Sequence, residues 1–280
     1  MLSPKTIKSS AEVKADGLYR LSNEAYHAGQ GISSSNLKDI LRSPAHYKAA
    51  KQDKKTTPAM EFGTLVHTML LEPELFDRDY AVEPELDGPK TKKPWKDIWD
   101  EFKKEVQGRK IVKTEDYDKA RMMCKAARAH TYASYIMECC DTEVSAYFRH
   151  DGTFLKARAD LIDYENGFIW DVKTTQDARE SEFTKSIGNF KYHLSAAYYL
   201  DVFTRATGKV FDKFGWIVME KTAPFSVATY IADPYALEVG RMECQKALQT
   251  YSECIVSGNW PGYKESIDTI GLPKYYNAEN

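Results

Sequence analysis

The sequence predicts an α/β domain in which helices flank a central mixed β-sheet. Residues 142–175 carry the main signal, because three runs of alternating apolar residues are joined there by Asp151-Gly152 and Asn166-Gly167. Such dipeptides between alternating runs predict hairpins, and so a three-stranded antiparallel meander. Segments with helical spacing of apolar residues lie before and after it. With 280 residues, 42% hydrophobic and 12% aromatic, the chain can bury a sizeable core.

The part of the chain before the meander predicts a lead-in and several helices. Residues 1–24 predict a loosely attached lead-in segment, and residues 25–280 a single domain. Three serines, 33–35, stand before NLKDIL and predict a helix start. Ser43-Pro44 predicts a break and a second helix, AHYKAAKQ. Residues 58–72 predict a third helix that ends near Pro73, and the prolines and lysines of residues 81–96 predict a loop.

The part after the meander predicts a helix, a hairpin and a last helix. The first helix runs from about Asn189 to Thr207, and Gly208 is expected to end it. A hairpin follows with its turn at Ala223-Pro224. The last helix runs from about Pro234 to Val256.

The composition excludes several classes of protein. A formal net charge of -2 excludes a uniformly basic coat for nucleic acid, although not a local basic groove. No apolar run approaches the roughly 20 residues that a membrane-spanning helix needs, and the N-terminus lacks the apolar core of a signal peptide. Five cysteines without C-x-x-C spacing argue against a disulfide framework and a zinc ribbon. We therefore expect a cytoplasmic protein without membrane attachment.

Positive charge is concentrated between Lys90 and Lys125. This stretch has 12 Lys or Arg against 7 Asp or Glu. It predicts either a solvated helical face or a surface that faces phosphates, with Lys90, Lys92 and Lys93 as the contacts.

The two hairpin turns of the meander place four charged side chains together. A two-residue loop fixes hairpin register, so the second hairpin predicts that Asp160 faces Lys173, with Asp171 diagonal to Asp160. The first hairpin predicts that Glu143 faces Asp160. Side chains alternate between faces, so all four are expected on one side, within about 5–8 Å of one another. Leu155, Ala157, Ala159 and Leu161 are expected on the other face, opposite Trp170 and Val172.

This arrangement predicts a metal-dependent phosphodiesterase site. Three carboxylates so close repel one another unless a cation neutralises them, and hard oxygen ligands suit Mg²⁺ or Mn²⁺. A neighbouring lysine can orient or deprotonate a water, or stabilise developing negative charge. The alternative at this point is a surface strand whose charged side chains merely pair.

Asp160, followed after an apolar strand by Asp171-Val172-Lys173, resembles the motif of the PD-(D/E)xK nuclease superfamily, with Ala159 in place of its proline. The chain also resembles the nuclease domain of RecE (exonuclease VIII) and its phage relatives over about residues 25–240. The matching segments, in the expected order, are ISSS, RSPAHY, AMEFGTLVHTMLLEPELF, TEVSAYF, ARADLID, IWDVKTT, YHLSAAYY and MEKTAPFSVATY.

The resemblance implies roles for individual residues around the predicted site. His67, Asp160 and Asp171 match metal ligands, and Lys173 matches the catalytic lysine. Glu143 matches an acidic residue that relatives use less uniformly as a ligand. Relatives carry Gln four residues before the position of Tyr199, where this chain has Ser195, so the role of that Gln is left open between Ser195 and its neighbours Tyr192, His193 and Tyr199.

The resemblance also implies contacts with DNA. Ser34, Ser35 and Arg42 match the region that handles the DNA end, although serines at a helix start are also ordinary N-caps. Arg158 shares a strand face with Asp160. It could reach the scissile phosphate, or it could pair with Glu143 or Asp160.

The function implied is a Mg²⁺-dependent 5′-to-3′ exonuclease on double-stranded DNA, which leaves 3′ single-stranded tails for phage or prophage recombination in a bacterial host cell. The implied partners are double-stranded DNA ends, a RecT-like single-strand annealing protein and further copies in a ring of three or four. Three alternatives remain: a Cas4-like nuclease with an iron–sulfur cluster, a structure-specific endonuclease, and a DNA-binding recombination module without catalysis.

Overall fold

A seven-stranded mixed sheet forms the centre of the structure, a computed structural model that describes residues 2–53 and 56–272. The strands of the described residues are β1 (Lys5–Thr6), β2 (Gly17–Arg20), β3 (Tyr80–Val82), β4 (Lys110–Val112), β5 (Asp141–His150), β6 (Thr153–Asp163), β7 (Phe168–Thr175), β8 (Lys213–Glu220) and β9 (Val227–Ile231). The sheet has the order β1-β2-β5-β6-β7-β8-β9, and β3 and β4 form a separate parallel pair.

Helices cover both faces of this sheet. They are α1 (Asn23–Ala28), α2 (Ser34–Arg42), α3 (Pro44–Gln52), α4 (Pro58–Leu71), α5 (Phe76–Asp79), α6 (Trp95–Glu105), α7 (Thr114–Ala129), α8 (Thr131–Cys139), α9 (Glu180–Asn189), α10 (Tyr192–Thr207) and α11 (Pro234–Ser257). None of these helices has the length and apolar character needed to cross a bilayer, as far as the described residues go.

The sheet is mixed because two of its strand pairs are parallel, β1 with β2 at the edge and β7 with β8 inside the sheet. Neighbouring strands from β2 to β7 run antiparallel, β7 and β8 run parallel, and β8 and β9 form an antiparallel hairpin. A parallel pair needs a long crossover, which α9 and α10 supply between β7 and β8. The predicted α/β class with a central mixed sheet is confirmed.

Two hydrophobic cores lie on the two faces of the sheet. One core includes Leu37 of α2, Phe203 of α10 and Trp216 of β8. The other includes Val66 of α4, Met123 of α7 and Ile217 of β8. Burial on both faces explains why the central strand β6 reads as a nearly continuous buried run rather than an alternating one.

The first predicted hairpin has the expected register, and the second does not. His150 pairs with Thr153 around Asp151-Gly152, as a two-residue loop requires. In the second hairpin Asp163 pairs with Phe168, so the loop is residues 164–167 and the register is shifted by two residues. The cause is the Asp163 carboxylate, which accepts the N–H groups of Glu165 at 2.9 Å and Asn166 at 3.0 Å and closes a turn of its own.

This shift corrects the predicted pairing but preserves the predicted faces. Continued along the two strands, the observed register places Asp160 opposite Asp171 rather than opposite Lys173. A shift by an even number of residues leaves each side chain on its original face of the strand. Asp160, Asp171 and Lys173 can therefore still converge, although with different neighbours.

The N-terminal segment is more firmly attached than the predicted lead-in. Gly17, Leu18 and Tyr19 pair with β5, which adds β2 to the main sheet. Leu18, Tyr19 and Leu21 are buried. The prediction of a loose segment over residues 1–24 missed this strand because four residues, GLYR, carry too short a pattern.

The predicted helix from Asn189 is in fact preceded by a second one. Lys191 has a left-handed backbone with a φ of 51°, which separates α9 from α10 and moves the start of the long helix to Tyr192. Gly208, with a φ of 72°, ends α10 as predicted.

Candidate active site

Asp160 lies where β6 and β7 separate. The last ladder pair on this side is Leu161 with Trp170, and beyond it the Asp160 carboxylate accepts the backbone N–H of Val172 at 2.6 Å. The neighbouring residues of β6 divide between the two cores at this point. Ala159 packs in the core beneath α10 and Leu161 in the core beneath α4. The expectation that Leu155, Ala157, Ala159 and Leu161 all lie opposite Trp170 and Val172 is therefore wrong.

Glu143, on β5, faces the point where β6 and β7 separate. Its backbone conformation is unusual. Its φ is 53°, a left-handed value that residues with a side chain rarely adopt. It interrupts the β5–β6 ladder between the Thr142–Leu161 and Val144–Ala159 pairs. Such conformations cost energy and persist where the surrounding structure enforces them, which is common at functional sites.

His67 approaches Asp160 from α4, and one hydrogen bond shows which nitrogen of its ring carries a proton. Nε2 lies 3.1 Å from the carbonyl oxygen of Val172, which can only accept, so Nε2 carries the proton. Nδ1 lies 3.6 Å from the Asp160 carboxylate, and in the neutral ring it carries a lone pair. A proton or a metal ion can lie between these two atoms.

Ligand atoms of His67, Glu143 and Asp160 all lie within 4.8 Å of one another, and we call this group the fork site. Burial raises the pKa of Asp160 to about 7. This value already includes the lowering effects of His67 and Lys173 and the raising effects of Asp171 and Glu143 on the pKa. An imidazole lone pair and two carboxylates at this spacing fit one divalent cation. The structure thus brings Glu143 into the group and leaves Asp171, predicted as a ligand, outside it.

Arg158 is fully engaged by protein groups. Nε donates to Glu143 at 2.5 Å, Nη1 to the carbonyl of Leu21 at 2.5 Å, and Nη2 lies 3.5 Å from Glu72. The side chain is only 7% exposed. Of the two predicted roles, the structure supports pairing with Glu143 rather than contact with a phosphate, and it adds Glu72, which sequence reasoning missed.

Asp171 and Lys173 form an ion pair that opens into a cavity of about 140 Å³. We call this cavity the α2–α10 pocket. It is lined by Ser34, Ser35, Lys38, Asp171, Lys173, Tyr192, Ser195, Tyr199, Phe214 and Trp216.

Lys173 keeps its proton in this setting. Burial lowers the pKa of Lys173, but Asp171 and Asp160 outweigh burial, and the pKa lies above its ordinary value. A protonated ammonium can orient a water or hold negative charge, whereas it cannot take a proton. Of the predicted roles of Lys173, this state favours positioning and charge stabilisation.

Lys38 is a second lysine in the pocket, and sequence reasoning missed it. Burial and, to a smaller extent, the nearby charge of Lys173 lower the pKa of Lys38 to about 8. Its Nζ lies 5.6 Å from the centre of the Tyr192 ring. The available signal was helical spacing, because Lys38 follows Ser34 by four residues and so shares its face of α2.

The residues predicted to contact DNA divide into two groups. Ser34, Ser35, Ser195 and Tyr199 meet in the α2–α10 pocket. Arg42 lies at the other end of α2, where its Nε is 3.4 Å from the Tyr263 hydroxyl.

Two of the three lysines in the predicted loop already interact with protein groups. Lys90 pairs with Glu83 and lies 4.1 Å from the centre of the Trp99 ring. Lys93 lies 3.7 Å from Asp97. These contacts favour the solvated-surface interpretation for Lys90.

Comparisons with known proteins agree with this geometry. Residues 33–273 match the model of a PDDEXK-like domain of unknown function, DUF3799. No curated protein matches the sequence. A solved structure of a candidate exonuclease from Eubacterium rectale is similar, with a TM-score of 0.55 and 15% identity over 89% of this chain and 96% of that one. A phage-related exonuclease from Haemophilus somnus 129PT gives 0.34 and 13%, over 83% and 99%.

The first of these likenesses supports the fold, and the family match covers most of the chain. The predicted PD-(D/E)xK resemblance is confirmed at the level of the superfamily and its nuclease-type fold. The chain belongs to the PDDEXK-like domain family DUF3799.

Proposed function

We propose that this protein is a Mg²⁺-dependent DNA exonuclease. The observation that carries the proposal is the fork site, where a histidine lone pair and two carboxylates meet within 4.8 Å beside the Asp171–Lys173 pair. Two carboxylates and an imidazole nitrogen at this spacing are ligands that a divalent cation takes in proteins. A protonated lysine next to this group supplies what a phosphodiester needs, namely positive charge close to the reacting phosphorus.

Each side chain then has a distinct task. His67, Glu143 and Asp160 would hold the ion, which when bound polarises a phosphate oxygen and lowers the pKa of a water. Lys173 orients the attacking water and holds the negative charge that builds on the phosphate. Asp171 holds the Lys173 ammonium in place. Lys38 and the hydroxyls of Ser34 and Ser35 bind the phosphate from the opposite wall of the pocket.

The finer parts of the proposal come from the sequence resemblance. We propose 5′-to-3′ digestion of double-stranded ends that leaves 3′ tails for phage or prophage recombination. The proposed partners are a RecT-like annealing protein and further copies in a ring of three or four. The matching segments around the fork site and the pocket, ISSS, AMEFGTLVHTMLL and IWDVKTT, support this reading.

The three alternative functions require different features of the chain. A Cas4-like iron–sulfur nuclease needs clustered cysteines, whereas the only group of ligating side chains found in the described part of the chain is His67, Glu143 and Asp160. A structure-specific endonuclease would use the same fork site and differ only in substrate. A binding module without catalysis would leave the Asp171–Lys173 pair unexplained.

End-labelled duplex DNA with Mg²⁺ tests the proposal. Duplexes with a 5′-phosphate, duplexes with a 5′-hydroxyl and a covalently closed circle are incubated with the wild type and with Asp160→Asn. We expect mononucleotides from the linear duplexes, faster release from the 5′-phosphate, an intact circle and no digestion by the variant. A cut circle would indicate an endonuclease, and no cleavage of any substrate would contradict the proposal.

A further inference from the structure

Phe190 is an exposed aromatic side chain that packs on Tyr192, one of the residues that line the α2–α10 pocket. It is 60% exposed and stands at the corner between α9 and α10. Its ring stacks on Tyr192 with centroids 5.5 Å apart and planes 29° apart. Single exposed apolar residues are common on proteins, but this one packs directly on a ring that lines the proposed active site.

The corner that carries Phe190 is held firmly. Lys191, with its left-handed backbone, reaches Glu243 of α11 at 2.5 Å. His193 lies 3.2 Å from the same carboxylate and 3.3 Å from the carbonyl of Ile187. The phenyl ring is therefore presented to solvent from a fixed backbone, which lowers the entropic cost of binding a ligand on it.

The surroundings of the ring suit a nucleotide. The ammonium groups of Lys173 and Lys38 lie 5.2 Å and 5.6 Å from the centre of the Tyr192 ring. Phe190 and the two ammonium groups thus all lie next to the Tyr192 ring, and the ammonium groups can hold a phosphate. A nucleotide has a phosphate at one end and a flat base at the other, and exposed aromatic rings beside basic grooves are sites where bases stack.

The size of the pocket limits what can enter. A cavity of about 140 Å³ holds a phosphate and part of a sugar, but not a base pair. Only one strand fits, so a nucleotide that is no longer held by a pairing partner enters most readily. Its base stays outside the cavity, where an aromatic ring can stack on it.

We propose that Phe190 is a stacking platform for the unpaired base of the nucleotide whose phosphate lies at Lys173 and Lys38. This inference rests on the proposed nuclease function and names the form in which the substrate binds, as a separated single strand at the duplex end. Phe190 is a positioning residue, since it touches the base and not the reacting phosphorus.

Fluorescence of 2-aminopurine tests this directly. The probe is a 5′-phosphorylated single-stranded oligonucleotide with 2-aminopurine at the terminal nucleotide and phosphorothioate linkages, which slow hydrolysis in Mg²⁺. Stacking on a protein ring should change its fluorescence when the wild type binds. Phe190→Ala should lose that change and bind about fivefold or more weakly, and Phe190→Trp should restore both.

Two controls separate stacking from general damage. Tyr132→Ala removes another exposed aromatic ring, on α8, and should behave as the wild type. An oligonucleotide with an abasic terminal nucleotide should bind the wild type and Phe190→Ala equally. If Phe190→Ala keeps the fluorescence change and its affinity stays within twofold of wild type, the platform is overturned.

Failure of this inference and failure of the proposed function look different. A Phe190→Ala protein that digests blunt duplexes at the wild-type rate and keeps the fluorescence change refutes the platform and leaves the nuclease intact. A wild type that shows the Phe190-dependent fluorescence change but digests no DNA retains the platform and refutes the nuclease. A wild type that binds no oligonucleotide overturns both.

Discussion

The fork site and the α2–α10 pocket are neighbours with opposite charge. In the fork site, acidic groups and a lone pair face one another, and burial raises the pKa of Asp160 to about 7. In the pocket, two lysines lie near one another, and burial and Lys173 lower the pKa of Lys38 to about 8. The fork site offers ligand atoms for a cation, and the pocket offers ammonium groups for an anion. In the proposed function a metal ion would occupy the first and a phosphate the second.

A single residue, Val172, joins the fork site and the α2–α10 pocket, which are the acidic and the basic half of the proposed site. The Val172 N–H binds Asp160 and its carbonyl binds His67, while the flanking residues Asp171 and Lys173 line the pocket. The backbone of β7 thus sets the distance between the fork site and the two lining residues Asp171 and Lys173. The comparison shows how one strand can position groups of opposite charge a short distance apart, as the proposed function requires.

Removing Arg158 should have the largest effect, because it is the buried counter-ion of the acidic half. Arg158→Met leaves Glu143 and Glu72 without a cation, and breaking a buried pair typically costs about 3–5 kcal/mol. Urea denaturation without metal measures the loss. Arg149→Met, at an exposed position of β5, serves as the control and should change stability by less than about 1 kcal/mol. Unchanged stability with weaker DNA binding would mean that Arg158 contacts phosphate after all.

Removing Lys173 should abolish the function of the basic half, and it should also lower stability because Asp171 loses its ion-pair partner. Loss of one preorganised charge-stabilising group typically lowers the rate by about 10²–10³-fold. Lys173→Ala should lose cleavage of end-labelled duplex by at least this factor and keep most of its affinity for DNA. Lys185→Ala, an exposed lysine on α9 that pairs with Glu182, is the control. Wild-type turnover in Lys173→Ala would refute the proposed site.

The sequence predicted which strand face carries each site residue better than it predicted which residues contact one another. Alternation along β6 and β7 placed Asp160, Asp171 and Lys173 on one side, and a two-residue error in register did not change that. The error came from Asp163, whose side chain builds a turn that the Asn-Gly signal does not show. Lys38 could not be predicted, because its position depends on how α2 docks on α10 and β7. Such contacts join distant parts of the chain and leave no local pattern.

The two halves should titrate in opposite directions. Metal binding needs the Asp160 carboxylate, so at limiting Mg²⁺ the kcat/KM for duplex digestion should fall up to about tenfold per pH unit below pH 7. Phosphate binding needs the Lys38 ammonium, so kcat/KM should also fall above about pH 8. Lys38→Gln should remove the fall of kcat/KM above pH 8 and keep the fall below pH 7. A profile that rises through pH 9 in the wild type would show that Lys38 does not bind substrate.

The smallest expected effect concerns the stability of the acidic half without metal. Asp160 has a folded pKa above its unfolded value of about 3.8, so the folded state holds a proton that the unfolded state has lost between these pH values. Its contribution to stability is complete below about pH 4 and is lost as the pH rises through 7. Asp160→Asn keeps an oxygen for the Val172 N–H and removes the charge. At pH 8 the metal-free variant should therefore be as stable as the wild type, or more so.

Mg²⁺ should make the wild type more stable than Asp160→Asn. At tenfold over its dissociation constant it should stabilise the wild type by about 1.4 kcal/mol, or roughly 2–5 °C in melting temperature. The shift for Asp160→Asn should be clearly smaller, because one charged ligand is missing. Thermal denaturation at pH 8 with and without Mg²⁺ measures both quantities. Suppose instead that the variant loses stability without metal and its Mg²⁺ shift is unchanged. Asp160 would then be a structural partner of His67 and Lys173, the fork site would not hold the ion, and the opposite charges of the two halves would serve folding rather than catalysis.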